Sequence, residues 1–231
     1  MTLLLALLLT APADTTLPDA ALGAWVNPDT VAIEMPIEEG GEPVLVLDPY
    51  GEPLQAFLYQ SLDITDSTFT TRSVFKDHGD VIAVEWSATY TARGNVIELA
   101  RSPPVRVDVE ADSLVLSRPD QPEAPTYRYA REVLASGPHA LVGRWAGDVM
   151  DGAGVPVGVS IEILPDGTFV SPSGEGPVSY RIAGSYLLIE SGTTADATGT
   201  TLIFDVSRYE LADNQLTLDI AGSQPLRLVR Q

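Results

Sequence analysis

Apolar residues in this chain recur at every second position over short stretches, and turn-forming clusters cut each stretch off. Val157, Val159, Ile161 and Ile163 alternate with small or polar residues before Pro165-Asp166-Gly167 turns the chain. Val178, Tyr180 and Ile182 follow, then Ala183-Gly184-Ser185; Leu202, Phe204 and Val206 follow that. Leu211 and the run Leu216, Leu218, Ile220 flank Ala212-Asp213-Asn214, and Leu226 and Leu228 lie on the last stretch. Further upstream, Ile82, Val84, Trp86, Ala88 and Tyr90 share one face of a long strand. Successive side chains of a strand point to opposite faces, so a period of two with one apolar face specifies half-buried strands. No window keeps a helical period. Turns this frequent leave room for roughly eight antiparallel strands in about ninety residues, the size of a small barrel or a sandwich.

The chain also writes the same strands twice. Tyr127-Arg-Tyr-Ala-Arg-Glu132 and Leu226-Arg-Leu-Val-Arg-Gln231 both carry Arg at the second and fifth places. Asp66-Ser-Thr-Phe69 is echoed by Asp166-Gly-Thr-Phe169, and Leu22-Gly-Ala-Trp25 by Val142-Gly-Arg-Trp145. Tyr90, with Gly94 four residues on and an apolar strand after it, is echoed by Tyr180 with Gly184. Ser113-Leu-Val-Leu116 pairs more loosely with Gln215-Leu-Thr-Leu218. All anchors keep their order, while the drift in their spacing is what surface-loop insertions produce. A length of 231 residues suits two small domains. The expected division is residues 19–136 and residues 139–231, joined at Ala135-Ser136-Gly137-Pro138. Ser191–Thr201, small and polar, reads as a longer mobile loop of the second unit.

These anchors resemble the lipocalin-like (calycin) domains of bacterial exported proteins: Gly-x-Trp on the first strand, Asp-Gly-Thr-Phe in a hairpin, Gly-x-Tyr then an apolar strand, a late x-Leu-x-Leu strand, and an Arg on the last. Residues 139–231 carry the resemblance well and residues 19–136 more loosely, with Ser67 where the family has Gly in the hairpin. The resemblance implies an all-β fold of two tandem small antiparallel up-and-down barrels, each closed at one end, with a β-sandwich as the alternative. It also implies that the Trp plugs the closed end and that an Arg of the last strand stacks on it, which pairs Trp25 with Arg131 and Trp145 with Arg230. A guanidinium over an indole gains a cation–π contribution and shields the ring. Arg230 shares strand parity with Leu226 and Leu228, so it can point inward. The alternatives are that Arg128 and Arg227 take this role, or that all four are solvated. Family cavities often hold small apolar molecules, and Trp86, Tyr90, Tyr180 and Phe204 are the candidate lining, although a mid-strand Trp such as Trp86 more often fills a small barrel than floors a cavity.

At the N-terminus, Leu3–Leu9 is an apolar run too short to span a bilayer. Ala11-Pro12-Ala13 after it has the form of a cleavage site, so residues 1–13 read as a secretory signal peptide, without the usual basic residue ahead of the run. The expected location is periplasmic or secreted, with no membrane span. Thirteen basic against 32 acidic residues give a net charge of −19, and Lys76 is the lone lysine. Such a surface repels phosphate backbones and anionic headgroups, which argues against nucleic-acid and membrane-surface partners. With no cysteine, disulfides and thiolate chemistry are excluded.

No nucleophile elbow, phosphate loop or zinc-protease pattern occurs. His78, in Lys76-Asp-His-Gly-Asp80, and His139, at the linker, read as turn residues. Two acidic stretches, Glu34–Glu42 and Asp148–Asp151, lack the spacing of a calcium loop and read as solvated turns. No cofactor or metal is expected. The function expected is that of an exported non-catalytic protein binding a small hydrophobic molecule in one or both barrels. The alternative is an interaction module with filled barrels meeting an exported protein partner; a hydrolase is a distant third.

Overall fold

The structure, a computed structural model, describes residues 16–27, 29–35, 44–132, 139–150, 152, 154–171, 176–220 and 224–231. Residues 1–13 and 135–138, expected to be a signal peptide and a linker, and most of the Glu34–Glu42 stretch lie outside them.

Among the described residues, a 3-10 turn at Asp19–Ala21 is followed by eleven strands. They are β1 (Gly23–Asn27), β2 (Val31–Ala32), β3 (Glu34–Met35), β4 (Val44–Leu45), β5 (Gln55–Ile64) and β6 (Thr68–Asp77). Then follow β7 (Asp80–Arg93), β8 (Val96–Leu99), β9 (Val105–Glu110), β10 (Ser113–Ser117) and β11 (Tyr127–Arg131). β1 pairs with β5, each of β5 to β10 pairs with the next, and β11 returns to β1. All pairings are antiparallel, so these eight strands form a closed antiparallel barrel, which leaves the sheet without free edges. β2 adds to β5, and β3 and β4 form a separate ribbon.

Eight further strands follow: β12 (Gly143–Met150), β13 (Pro156–Ile163), β14 (Thr168–Val170), β15 (Val178–Ala183), β16 (Tyr186–Asp196), β17 (Gly199–Ala212), β18 (Gln215–Ile220) and β19 (Leu226–Arg230). Each pairs with its successor, and β19 returns to β12 through Trp145↔Arg230 and Ala146↔Val229. The fold is therefore all-β, as the period of two requires.

Three hydrophobic clusters hold it together. The first gathers Trp25, Leu62, Ile64, Phe69, Ile97, Val107, Leu114 and Tyr129 inside the β1–β11 barrel. The second gathers Leu141, Trp145, Ile161, Ile163, Leu187, Leu216, Leu218 and Leu228 among β12–β19. The third joins the two halves: Tyr59, Val74 and Ala83 from one side meet Ala183, Leu188 and Phe204 from the other.

The third cluster is built by two unusually long strands. The later part of β7 pairs with β8, while Ala83–Ser87 lies between β6 and β17. In β17, Ser207–Ala212 pairs with β18, while Thr200–Phe204 lies between β16 and β7. Ser191–Thr201 is thus no loose loop but a β-hairpin. Its threonines suit a pleated surface, and its backbone groups find partners on β7. Gly199 permits the approach, because a Cβ there would lie 2.4 Å from the Ser87 carbonyl oxygen.

Candidate functional site

The two ends of the β12–β19 ring differ. At one end Trp145 is wholly buried and its Nε1 donates to the Leu141 carbonyl at 2.8 Å. The Arg230 guanidinium lies over the indole, with Cζ 4.4 Å from the ring centroid. Its Nη1 donates to the Val142 carbonyl at 2.9 Å and its Nη2 to that of Ala140. The first half repeats this atom for atom. Arg131 covers Trp25 at 4.1 Å, Trp25 Nε1 donates to Ala21 at 3.0 Å, and Arg131 donates to Leu22 and Ala20 at 3.2 and 2.6 Å. Gly23 and Gly143, at φ +114° and +145°, leave room for the arginines, whose Nη1 atoms would lie 3.1 and 2.9 Å from an added Cβ. Each Trp–Arg pair sits where the last strand of its ring returns to the first. Arg128 instead pairs with Glu110 at 2.9 Å.

Tyr90 and Tyr180 also act alike. Their hydroxyls donate to the carbonyls of Thr65 and Leu164 at 2.6 and 2.8 Å, pinning the preceding hairpins. Burial pushes both phenols above their ordinary pKa. Tyr180 is buried in the second cluster, whereas Tyr90 borders a 380 Å³ surface cleft with Leu17, Asp66 and Arg93. Trp86 packs edge-on against Phe69, at 6.5 Å between centroids, and fills space beside the first cluster. Phe204 lies apart from the other three candidates, in the third cluster between the halves. The reason is strand parity: the inner face of the second ring continues along β17 through Tyr209 and Leu211, leaving Phe204 on the face turned to β7.

At the opposite end, among the described residues, β12 and β19 pair only at Trp145 and Ala146. At Gly147 the backbones nearly touch, since a Cβ would lie 2.3 Å from the Arg227 carbonyl oxygen. Beyond it lies a slot of 590 Å³ lined by Asp148, Val149, Met150, Gly152, Ile220, Gln224, Pro225 and Leu226. Val149 and Leu226 share inward parity with Trp145 and Leu228, and Ile220 shares it with Leu216 and Leu218. Val157, on the inner face opposite Val149, is 46% exposed, and Met150 beside the slot is 66% exposed. Asp148 belongs to strand β12 rather than to a turn, as its sequence neighbourhood had suggested.

Comparison with protein-family models, with curated proteins and with solved structures found no match to this chain.

The histidines carry no constellation. His78 occupies a hairpin turn at φ 50° with its Nδ1 2.6 Å from Asp77 Oδ1. His139 Nδ1 accepts the Leu141 N–H at 3.1 Å, and burial lowers its pKa. Among the described residues no three His, Asp or Glu side chains gather as a metal would need, and no helix is long and apolar enough to cross a membrane.

One buried ionic group gave no sequence motif. Glu85, 7% exposed, accepts a hydrogen bond from Arg72 Nε at 2.8 Å, and Arg181 Nε of the other half lies 3.6 Å away. A carboxylate in the alternation of a half-buried strand was the available signal, but its partners lie 13 and 96 residues away in sequence, counting to Arg72 and Arg181. The group ties Arg72 and Glu85 of the first half to Arg181 of the second.

Proposed function

We propose that the protein is an exported, non-catalytic binding protein. In this reading the chain is a tandem of two lipocalin-like barrels, residues 19–136 and 139–231, that follow a secretory segment at 1–13. The matching Trp–Arg plugs and tyrosine hydrogen bonds support the duplication, because unrelated folds have no reason to repeat them atom for atom. The second barrel takes a small hydrophobic molecule at its open end. The observation that carries this reading is the slot beside Val149, Ile220 and Leu226, whose inner faces lead from solvent to an apolar core. Its size is within the range of small-molecule sites.

Native mass spectrometry of the full chain purified from its own host tests the proposal. A non-covalent small molecule of constant mass, lost when Ile220→Ser is introduced, is the expected result. A bare apo mass for the wild type would overturn it.

A second reading, an interaction module, has its own observation. Val44, Leu45, Val46 and Leu47 run consecutively at 36–50% exposure, and Tyr50 beyond them is 91% exposed. Single exposed apolar residues are ordinary, but a contiguous run marks a contact surface. Co-purification of one protein in fixed ratio, abolished by Leu45→Ser/Leu47→Ser, would favour this reading.

A further inference from the structure

We propose that the slot between β12 and β19 selects a cationic amphiphile, an alkyl or aryl body carrying an amine, over neutral or anionic molecules of the same body. This rests on the binding reading above and names its ligand class.

The slot has a polarity fixed by strand alternation. Val149, Ile220 and Leu226 present the inner face, continuous with Leu218 and Leu228 of the core. Asp148, one residue before Val149, has the opposite parity and stands exposed at the outer lip. A molecule entering the slot therefore buries its apolar end first and leaves its other end beside a carboxylate. Among the described residues Asp148 is the one charged side chain in the lining, and none of them is Lys or Arg.

Two features keep that carboxylate available. Its cross-strand neighbour on β13 is Gly158, whose missing side chain leaves the carboxylate uncovered on that side; a Cβ there would be 3.8 Å from Asp148 Oδ1. Among the described residues Asp148 also makes no ion pair. The nearest basic residue on β19 is Arg227, which is exposed, outside the lining and not paired with Asp148. The net charge of −19 acts in the same direction at longer range: it concentrates cations near the surface and repels a fatty-acid carboxylate. An exposed contact of opposite charges contributes little by itself, so the preference is modest and salt-sensitive. It becomes selective because the apolar body holds the amine in place.

The test is calorimetric titration of the full-length mature chain with dodecylamine, 1-dodecanol and dodecanoate below their aggregation concentrations, at low and at 0.5 M salt. The expected order is amine, alcohol, carboxylate. Asp148→Asn is expected to cut the amine's affinity by about 2- to 5-fold while leaving the alcohol's unchanged. Ile220→Ser is expected to weaken amine and alcohol alike, which places the tail. Equal binding of amine and alcohol, tighter binding of dodecanoate, or an amine affinity that Asp148→Asn leaves unchanged overturns the inference while leaving apolar binding in place. Binding of none of the three overturns both.

Discussion

Replacing Arg230 with Ala tests whether the Trp–Arg plug closes the second ring. Three interactions disappear together. The guanidinium leaves the Trp145 face, a cation–π contact of about 0.5–2 kcal/mol. The carbonyls of Val142 and Ala140 lose charged donors, each worth about 1.5 kcal/mol or more when fully buried. Arg230 is only half-buried, and water can replace part of the lost hydrogen bonding. A loss of about 2–4 kcal/mol is therefore expected, at the upper end of ordinary single substitutions. For a unit of about a hundred residues this lowers the melting temperature by roughly 10–20 °C. Urea and thermal unfolding followed by tryptophan fluorescence read it out, with emission shifting to the red as the Trp145 ring meets water. Arg227→Ala, on the same strand but exposed, is the control and is expected to change stability by about 0.5 kcal/mol or less. An Arg230→Ala protein that melts within a degree or two of wild type, or an Arg227→Ala protein equally damaged, would refute the reasoning.

Three further outcomes follow from the structure. Arg72→Ala leaves the Glu85 carboxylate buried with only the more distant Arg181, and is expected to cost about 3 kcal/mol; Arg72→Ala combined with Glu85→Leu should recover most of it in a urea titration, and failure to recover any would show that the carboxylate is not the cause. Gly199→Val drives a side chain into the Ser87 carbonyl and the Trp86 indole, so the hairpin should lift from β7 and amide exchange at Thr200–Phe204 and Ala83–Ser87 should quicken together; unchanged exchange at both would contradict the pairing. Burial, with a smaller effect of Tyr127, pushes the Tyr129 phenol up to about 12. The unfolded chain then releases this proton near pH 10 and the folded chain near pH 12. Tyr129 therefore stabilises the fold fully below pH 10, and this is lost as pH rises toward 12, by up to about 2 kcal/mol. Tyr129→Phe should flatten that fall relative to wild type when urea midpoints are compared at pH 9 and 11, and parallel curves would refute the assignment.

The stacking of Arg131 on Trp25 and of Arg230 on Trp145 was expected from the family resemblance, and strand parity supported it for Arg230; the alternative arginines Arg128 and Arg227 had the same residue type on the same strands, so only the contacts chose between them. The matching anchors were legible as repeated short motifs kept in the same order. Tyr90 and Tyr180 stood out as large residues on inner faces, but a face does not reveal whether its ring lines space or fills it. Their hydroxyls pin the preceding hairpins through Thr65 and Leu164, which depends on where a hairpin folds back. The slot was partly visible. Ile220 and Leu226 read as inward strand ends, while Asp148 read as a turn acid, because a short acidic stretch gives no sign of whether a neighbouring strand supports it.

Local alternation, turn chemistry and composition thus determined by themselves that this chain forms antiparallel strands, which face of most strands is apolar, and that it carries a strong net negative charge. The joining of β7 to β17, the burial of Glu85 between Arg72 and Arg181, and the outward turn of Phe204 were decided only by the tertiary structure. The physical reason is that a strand's period of two specifies its faces but not its edges. Any free N–H and C=O row can accept any other extended segment, and the choice is made by packing between residues more than a hundred positions apart in sequence.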